Sequence, residues 1–279
     1  MMKQPSKITL SVGTAVLVAS CGRGQVGGPH DMGSMRGHDA GAMKAHARAE
    51  VAFLFPDGDD RGWSKLRNGV DHKMAPDVPL ASLPAGTRAR LIHQLALTAE
   101  VMKKYPTVWD AEAAGYRRFG SFKAGLGTHY IGGHPITHDT LTDDDVLHPA
   151  GIDYDGSSPD SPIVGFMYTY APPGGTGPGS REPEGFAGPN DHWHHHRNIC
   201  LTPGSNGAME GRADGRLTEA QCRASGGGFT AAGPYAVHVW TVPAFTNPLG
   251  VFAHSNPAVT CADGTYHMEG RTAGNPCHR

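Results

Sequence analysis

The most constraining stretch of the sequence is Asp191-His-Trp-His-His-His-Arg-Asn-Ile-Cys200, which places four histidines within five positions. If this stretch is a β-strand, successive side chains alternate between its two faces, and His195 points away from its neighbours. The even-numbered positions then share one face: His192, His194, His196, Asn198 and Cys200. Same-face residues lie roughly 6.5–7 Å apart, so two imidazoles at this spacing can bind one ion. The stretch predicts half of a metal site; the alternatives are a surface histidine cluster or one buried, hydrogen-bonded histidine.

The other ligands must come from elsewhere in the chain. Tyr235–Val242 alternates cleanly, with His238 and Trp240 on the face opposite Val237 and Val239, so His238 can meet the histidine strand and Trp240 can wall the site. His129 lies on a step flanked by glycines, where backbones can approach closely. The predicted metal ligands are therefore His129, His194, His196 and His238. His192, Asp191 and Trp240 are predicted to support these ligands without binding the ion themselves, and His195 should be dispensable.

The first twenty residues are typical of a bacterial export signal. Two lysines precede a short apolar run, Ile8–Ala19, which is too short for a comfortable transmembrane helix. The run ends in Val18-Ala-Ser-Cys21, which is similar to the lipobox of bacterial lipoproteins. We therefore expect a lipoprotein signal peptide at 1–20, a lipid on Cys21, and an extracytoplasmic protein anchored to the cell membrane or outer membrane. An ordinary secretory signal is the alternative.

Four further cysteines remain once Cys21 is assigned to the anchor. An even number in an exported chain indicates two disulfides, and three pairings of these four cysteines are possible. Neighbours along the sequence suggest the pairs Cys200–Cys222 and Cys261–Cys277. A four-cysteine zinc site is a weak alternative, because the sequence contains no pair of cysteines separated by two residues.

Residues 21–50 are rich in glycine, methionine and histidine and contain few aliphatic residues, so they should form a flexible tether rather than a core. Thioether and imidazole groups together suit copper, and methionine favours Cu(I). The competing interpretation is a lipoprotein spacer that is methionine-rich by chance.

Residues 51–279 are predicted to form a single α+β domain. Apolar residues at helical spacing indicate a helix from about Pro84 to Tyr105, and a second helix is expected from Val108 to about Phe119. After Gly120 the chain becomes glycine-rich and strand-like. The expected fold is an N-terminal helical pair packed on a mainly antiparallel β domain that the disulfides brace.

The charge and the known motifs exclude several function classes. The net charge is −2, and no basic patch or arm is visible, which argues against nucleic acid as a partner. The signatures of serine hydrolases, zinc proteases and nucleotide-binding loops are absent from the sequence. No feature identifies a protein partner.

Several stretches together resemble a family of uncharacterised exported bacterial proteins. The stretches that carry the resemblance are Ala114-Gly-Tyr116, Gly125–Tyr130, His192–Cys200, His238-Val-Trp240, Gly250-Val-Phe252, Asn256-Pro257 and Cys261. They span roughly residues 99–264, and the tether lies outside them. The resemblance implies an exported domain centred on histidines and carries over no established activity.

The leading interpretation is a lipoprotein that binds copper or, second, zinc. One alternative is a mononuclear metal enzyme, an oxidoreductase or a hydrolase, in which two histidines and a carboxylate from Asp191 or Glu210 hold the ion. The other is a disulfide-braced recognition module whose histidines are incidental. Four protein ligands would favour metal binding, whereas three ligands beside a cleft would favour catalysis.

Overall fold

The computed structural model describes residues 78–176, 180–203, 209–213, 217–264 and 277, with the backbone alone for 209–213. The predicted signal peptide, the lipid site at Cys21 and the tether at 21–50 all lie outside these residues.

Helix α1 follows the apolar spacing of the sequence. It begins after Pro84, which cannot donate a backbone hydrogen bond, and it ends where Tyr105 precedes Pro106. None of the described helices is both long and apolar enough to cross a lipid bilayer. The helices are α1 (Ala85–Lys104), α2 (Val108–Ala113), α3 (Asp143–Leu147) and α4 (Glu219–Ala224).

The prediction that the second helix reaches Phe119 is wrong. Helix α2 starts with a capping box between Thr107 and Asp110 but ends at Ala113. Gly115 adopts a φ of 99°, the left-handed conformation that commonly ends helices. Phe119 lies in a strand and pairs with His129.

Seven described strands form one curled sheet in the order β1-β2-β3-β4-β7-β5-β6. Neighbouring strands are antiparallel, except that β1 meets β6 through a single parallel pairing of Phe119 with Met209. Helices beside a mainly antiparallel sheet agree with the predicted α+β class. The strands are β1 (Arg117–Lys123), β2 (Gly127–Ile131), β3 (Gly151–Tyr154), β4 (Ile163–Tyr170), β5 (His194–Pro203), β6 (Met209–Ala213) and β7 (Gly228–Val239).

One face of the sheet, which we call the core face, packs the main hydrophobic core. Alternate residues of β4 and β7 meet helix α1 and the loop residue Phe186 there. Fully burying each such side chain stabilises the fold by about 1.5–3 kcal/mol. Buried tyrosines on this face donate their hydroxyls to backbone carbonyls, as Tyr154 does to Tyr105 and Tyr168 to Val146. Members of this core are Leu91, Leu95, Val101, Tyr154, Phe166, Tyr168, Phe186, Val237, Val239 and Phe252.

Both predicted disulfides are confirmed. Cys200–Cys222 joins β5 to α4, with 5.5 Å between the Cα atoms. Cys261–Cys277 joins the segment that follows β7 to the C-terminal part of the chain.

Candidate metal centre

The other face of the sheet, the histidine face, collects polar residues through the strand register. Residues directly opposite each other in antiparallel strands share a face. His129 on β2 lies opposite Asp153 on β3, and Asp153 lies opposite Gly165 on β4. Two strands further along, His194 on β5 lies opposite Ala236 on β7, two residues before His238. The pairing thus brings three predicted ligand histidines, His129, His194 and His238, and the carboxylate of Asp153 to the same face.

His194, His238 and His254 form a buried group that we call the three-histidine cluster. Their potential ligand atoms all lie within 4.8 Å of one another. The ring centroid of His194 is 4.6 Å from that of His254 and 5.8 Å from that of His238. Two nitrogens on one tetrahedral zinc ion are about 3.3 Å apart, so small side-chain rotations bring all three within bonding distance. The cluster has the composition and spacing to hold a transition-metal ion.

His194 begins strand β5, where the small side chain of Ala236 lies opposite it. Its Nδ1 lies 3.5 Å from the carbonyl oxygen of His192, an acceptor at the limit of hydrogen bonding. If Nδ1 carries the ring proton in this contact, Nε2 is the nitrogen that keeps a lone pair for an ion. The register of β5 against β7 shifts between His195 and Arg197, just inside this end of the strand.

His238 lies between an indole and a carboxylate. The Trp240 ring stacks on it at 5.7 Å between centroids, with 10° between the planes. Trp240 can lie there because residue 165 is glycine: a Cβ at that position would be only 2.7 Å from the indole. Trp240 is fully buried and donates its Nε1 to the carbonyl of Ala253, so it walls the site rigidly.

His254 comes from the loop that follows β7. The side chain of Asn247 donates to the carbonyl of Ser255, and that of Asn256 donates to the carbonyl of Phe245. The backbone of Trp240 also donates to Val251 in the same loop. Hydrogen bonds on both sides therefore fix this loop, and His254 is 3% exposed.

Asp153 connects the cluster to His129. His129 Nδ1 donates to Asp153 Oδ1 at 2.5 Å, and His238 Nδ1 lies 3.4 Å from Asp153 Oδ2. Burial by itself raises the pKa of Asp153, but the His129 charge and the hydrogen bonds from both histidines outweigh it and lower the pKa to about 2. The His129 ring stacks behind His238 at 5.6 Å and is not part of the three-histidine cluster.

Of the remaining histidines of the run, His195 and His196 lie in β5, whereas His192 precedes the strand. The ring of half-buried His196 is 5.3 Å from that of His194 and 6.3 Å from that of His254, so it borders the cluster. His195 packs at 5.0 Å against Tyr235 on the core face. His192 offers its backbone carbonyl to His194.

Of the two carboxylates considered as ligands, the structure describes the side chain of Asp191 but not that of Glu210. Asp191 Oδ2 accepts hydrogen bonds from the backbone of Phe186 and from Trp193 Nε1, each at 2.7 Å. Burial raises the pKa of this carboxyl, even though those hydrogen bonds lower it in part. Asp191 thus anchors a loop and is not part of the cluster. The backbone of Glu210 pairs with Thr202, and its side chain lies outside the described part of the protein.

Sequence reasoning missed two residues of this region. His254 lies in a turn-rich segment, where the steps Asn247-Pro and Asn256-Pro predict turns but give no sign of a ligand. Asp153 belongs to an acidic stretch that only weakly resembles a calcium-binding loop. Its position on the histidine face depends on the pairing of β2, β3 and β4.

Three imidazoles are ligands suited to zinc and copper. If these three residues hold the ion, a tetrahedral site keeps one further coordination position. No protein-family model, curated protein or solved structure matches this chain. The function is therefore inferred from the residues of the centre.

Proposed function

We propose that the protein binds one transition-metal ion, copper or zinc, through His194, His238 and His254. The observation that carries this proposal is the convergence of their ligand atoms to within 4.8 Å in a buried position. Histidine is a poor choice for filling a core, because a buried imidazole needs polar partners for its ring nitrogens. An ion shared by three rings would meet that need.

Copper ranks first and zinc second. An imidazole site binds Cu²⁺ more tightly than Zn²⁺ by the usual order of divalent-metal affinities. The methionine- and histidine-rich segment at 21–50 adds thioethers that suit Cu(I), although it lies outside the described residues. His196 borders the cluster and is our candidate for a fourth ligand.

The proposed setting is outside the cytoplasm, with a lipid on Cys21 as the membrane anchor. Val18-Ala-Ser-Cys21 and the apolar run before it support this assignment. Two disulfides are compatible with an oxidising compartment. Replacing Cys21 with serine should release the protein from membranes, and membrane fractionation of the variant tests this.

A mononuclear metal-dependent enzyme, an oxidoreductase or a hydrolase, is the second candidate. It is favoured by the number of histidines in the cluster, because three protein ligands leave room for a water or a substrate. Azide added to the copper-loaded protein tests for that position. A new ligand-to-metal absorption band would support the open site, and an unchanged spectrum would favour four protein ligands.

Elemental analysis of the untagged full-length protein tests the main proposal. We expect copper or zinc in the wild type and one ion per chain fewer in His194→Ala. His195→Ala is the matched control, because its ring packs on the core face against Tyr235 and its removal should leave the ion in place. If the wild type carries neither metal, or if His194→Ala carries as much metal as the wild type, the metal-binding proposal is wrong, and a disulfide-braced recognition module without metal becomes the better interpretation.

A further inference from the structure

We infer that Asp153 is a positioning residue of the metal centre: it holds His238 with the ring proton on Nδ1, so that Nε2 is the atom offered to the ion. This inference rests on the proposed function and assigns the residue that orients one of its ligands. His129 completes the arrangement, because it binds the other oxygen of the same carboxylate.

The two oxygens of Asp153 serve two different rings. Oδ1 accepts from His129 Nδ1 at 2.5 Å, and Oδ2 lies 3.4 Å from His238 Nδ1. A carboxylate can only accept, so each facing nitrogen must carry its proton. The nitrogen of His238 that keeps a lone pair is then Nε2.

The sheet is built so that this carboxylate can reach His238 from two strands away. Asp153 lies on β3 and His238 on β7, with β4 between them. The residue of β4 directly opposite Asp153 is Gly165, which has no side chain. A side chain at position 165 would occupy this space and press against the Trp240 ring, since its Cβ would lie 2.7 Å from the indole. Gly165 thus leaves room on this face for the Trp240 ring, which stacks on His238.

Burial makes the arrangement rigid. The side chain of Asp153 is 0% exposed and that of His238 is 4% exposed, whereas His129 is 15% exposed. A buried carboxylate needs a charged or hydrogen-bonding partner, and His129 supplies one from the neighbouring strand. His129 fixes the carboxylate, and the carboxylate fixes His238.

This arrangement matters for metal binding because a neutral imidazole has two tautomers, of which one leaves Nε2 free to bind. A carboxylate behind a ligand histidine selects the tautomer, orients the ring and makes it a stronger donor. Removing such a partner typically weakens metal affinity about 10–100-fold. A purely structural ion pair between Asp153 and His129 would have none of these effects on His238.

Affinity measurements on the full-length protein test the inference. Cu²⁺, and Zn²⁺ in parallel, are titrated in competition with a chromophoric chelator. Asp153→Ala should weaken the affinity about 10–100-fold. Asp153→Asn, which keeps an oxygen acceptor but loses the charge, should show a smaller loss and also covers the case in which the alanine variant fails to fold. If both variants bind as tightly as the wild type, Asp153 is structural only and the inference is wrong.

Thr128→Val is the matched control. Thr128 is buried on β2 beside His129 but faces the other side of the sheet, opposite Tyr154. Its hydroxyl makes no hydrogen bond within the described part of the chain, so this isosteric change should leave the affinity unchanged. A loss in Thr128→Val equal to that in Asp153→Asn would reveal a general disturbance of β2 and β3 and overturn the inference.

A second readout separates the inference from the proposed function. Nitrogen chemical shifts of ¹⁵N-histidine in the metal-free protein report which ring nitrogen of His238 is protonated. We expect Nδ1–H in the wild type and a mixture of tautomers in Asp153→Ala. Protonation on Nε2 in the wild type would overturn the inference even if the metal binds. Absence of metal binding with His238 held as Nδ1–H would instead overturn the proposed function and leave the positioning by Asp153 standing.

Discussion

The two faces of the sheet use neighbouring residues of the same strands for different purposes. On β7, Val237 and Val239 enter the core that helix α1 covers, while His238 between them faces the opposite side and joins the three-histidine cluster. On β4, Phe166 packs in the core, while its neighbour Gly165 leaves room on the histidine face. The alternation of a strand thus separates stabilising residues from candidate metal ligands by a single position.

This difference indicates which substitutions should change the stability of the fold and which should change metal binding. The core face depends on apolar area, where truncation leaves a cavity. The histidine face depends on nitrogen atoms that a metal ion can share. If the two faces are separate in this way, a substitution on the core face should leave metal affinity nearly unchanged. A substitution on the histidine face should leave the stability of the fold nearly unchanged.

The largest effect is expected on the histidine face. His254→Ala should abolish stoichiometric metal binding, because it removes one of three converging ligands. His196→Ala should retain the ion with weaker affinity, because its ring only borders the cluster. Metal content after gel filtration measures both variants. Retention of metal by His254→Ala together with its loss from His196→Ala would show that the sequence-predicted ligand set is the better one.

The next effect is expected on the core face. Leu91→Ala in α1 removes a side chain that is 0% exposed, and it should lower the free energy of unfolding by about 2–5 kcal/mol. Denaturant unfolding measures this loss, and the chelator competition should give an unchanged metal affinity. Trp109→Ala, at a 67% exposed position, is the control and should change stability by about 0.5 kcal/mol or less. A Leu91→Ala variant that folds but loses metal would break the proposed separation of the two faces.

A smaller loss is expected from the disulfide that braces the strand bearing His194. Replacing Cys200 and Cys222 together with alanine opens a crosslink between residues 22 positions apart, and it should destabilise the protein by about 3 kcal/mol. Metal stoichiometry should persist, because His194 lies at the opposite end of β5. Unfolding curves and metal analysis of the double variant check both statements, and loss of the ion at native temperature would contradict the second.

The smallest effect concerns Asp191, which supports the loop before β5. Its pKa is raised in the folded state, so the folded protein holds the proton more tightly than the unfolded chain does. Between the unfolded pKa of about 4 and the higher folded pKa, deprotonation of Asp191 therefore lowers the free energy of unfolding as the pH rises. Asp191→Asn keeps an oxygen acceptor for Trp193 and should remove this slope, raising neutral stability by about 1 kcal/mol or less. Unfolding free energies between pH 4 and 8 measure it, and a steeper slope in the variant would refute the assignment.

Local patterns were enough to predict part of this molecule. The alternation of Tyr235–Val242 assigns His238 and Trp240 to one face, and the same rule separates His194 from His195. The cysteine pairs follow from nearness along the chain. The end of helix α2 was mispredicted because aromatic residues at 116 and 119 continue a helical spacing that Gly115 interrupts.

Non-local pairing decides the rest. His254 is brought to the cluster by a loop whose shape depends on hydrogen bonds to Trp240 and Phe245. Asp153 meets His238 because the register of β3, β4 and β7 brings both residues to one face. Neither arrangement leaves a periodic signal in the sequence, so a search for patterns along the chain cannot find it.

The order of the three histidines along the chain has a consequence for how the proposed metal site would form. His194 and His238 lie on strands that pair directly, but His254 follows both in the sequence. The cluster therefore cannot assemble until β7 has paired with β5 and the loop behind it has closed on Trp240. Before these contacts form, the three imidazoles are not held together at one site. Under the proposed function, the ion would therefore bind late in folding, and its uptake would mark a chain that has completed its long-range contacts.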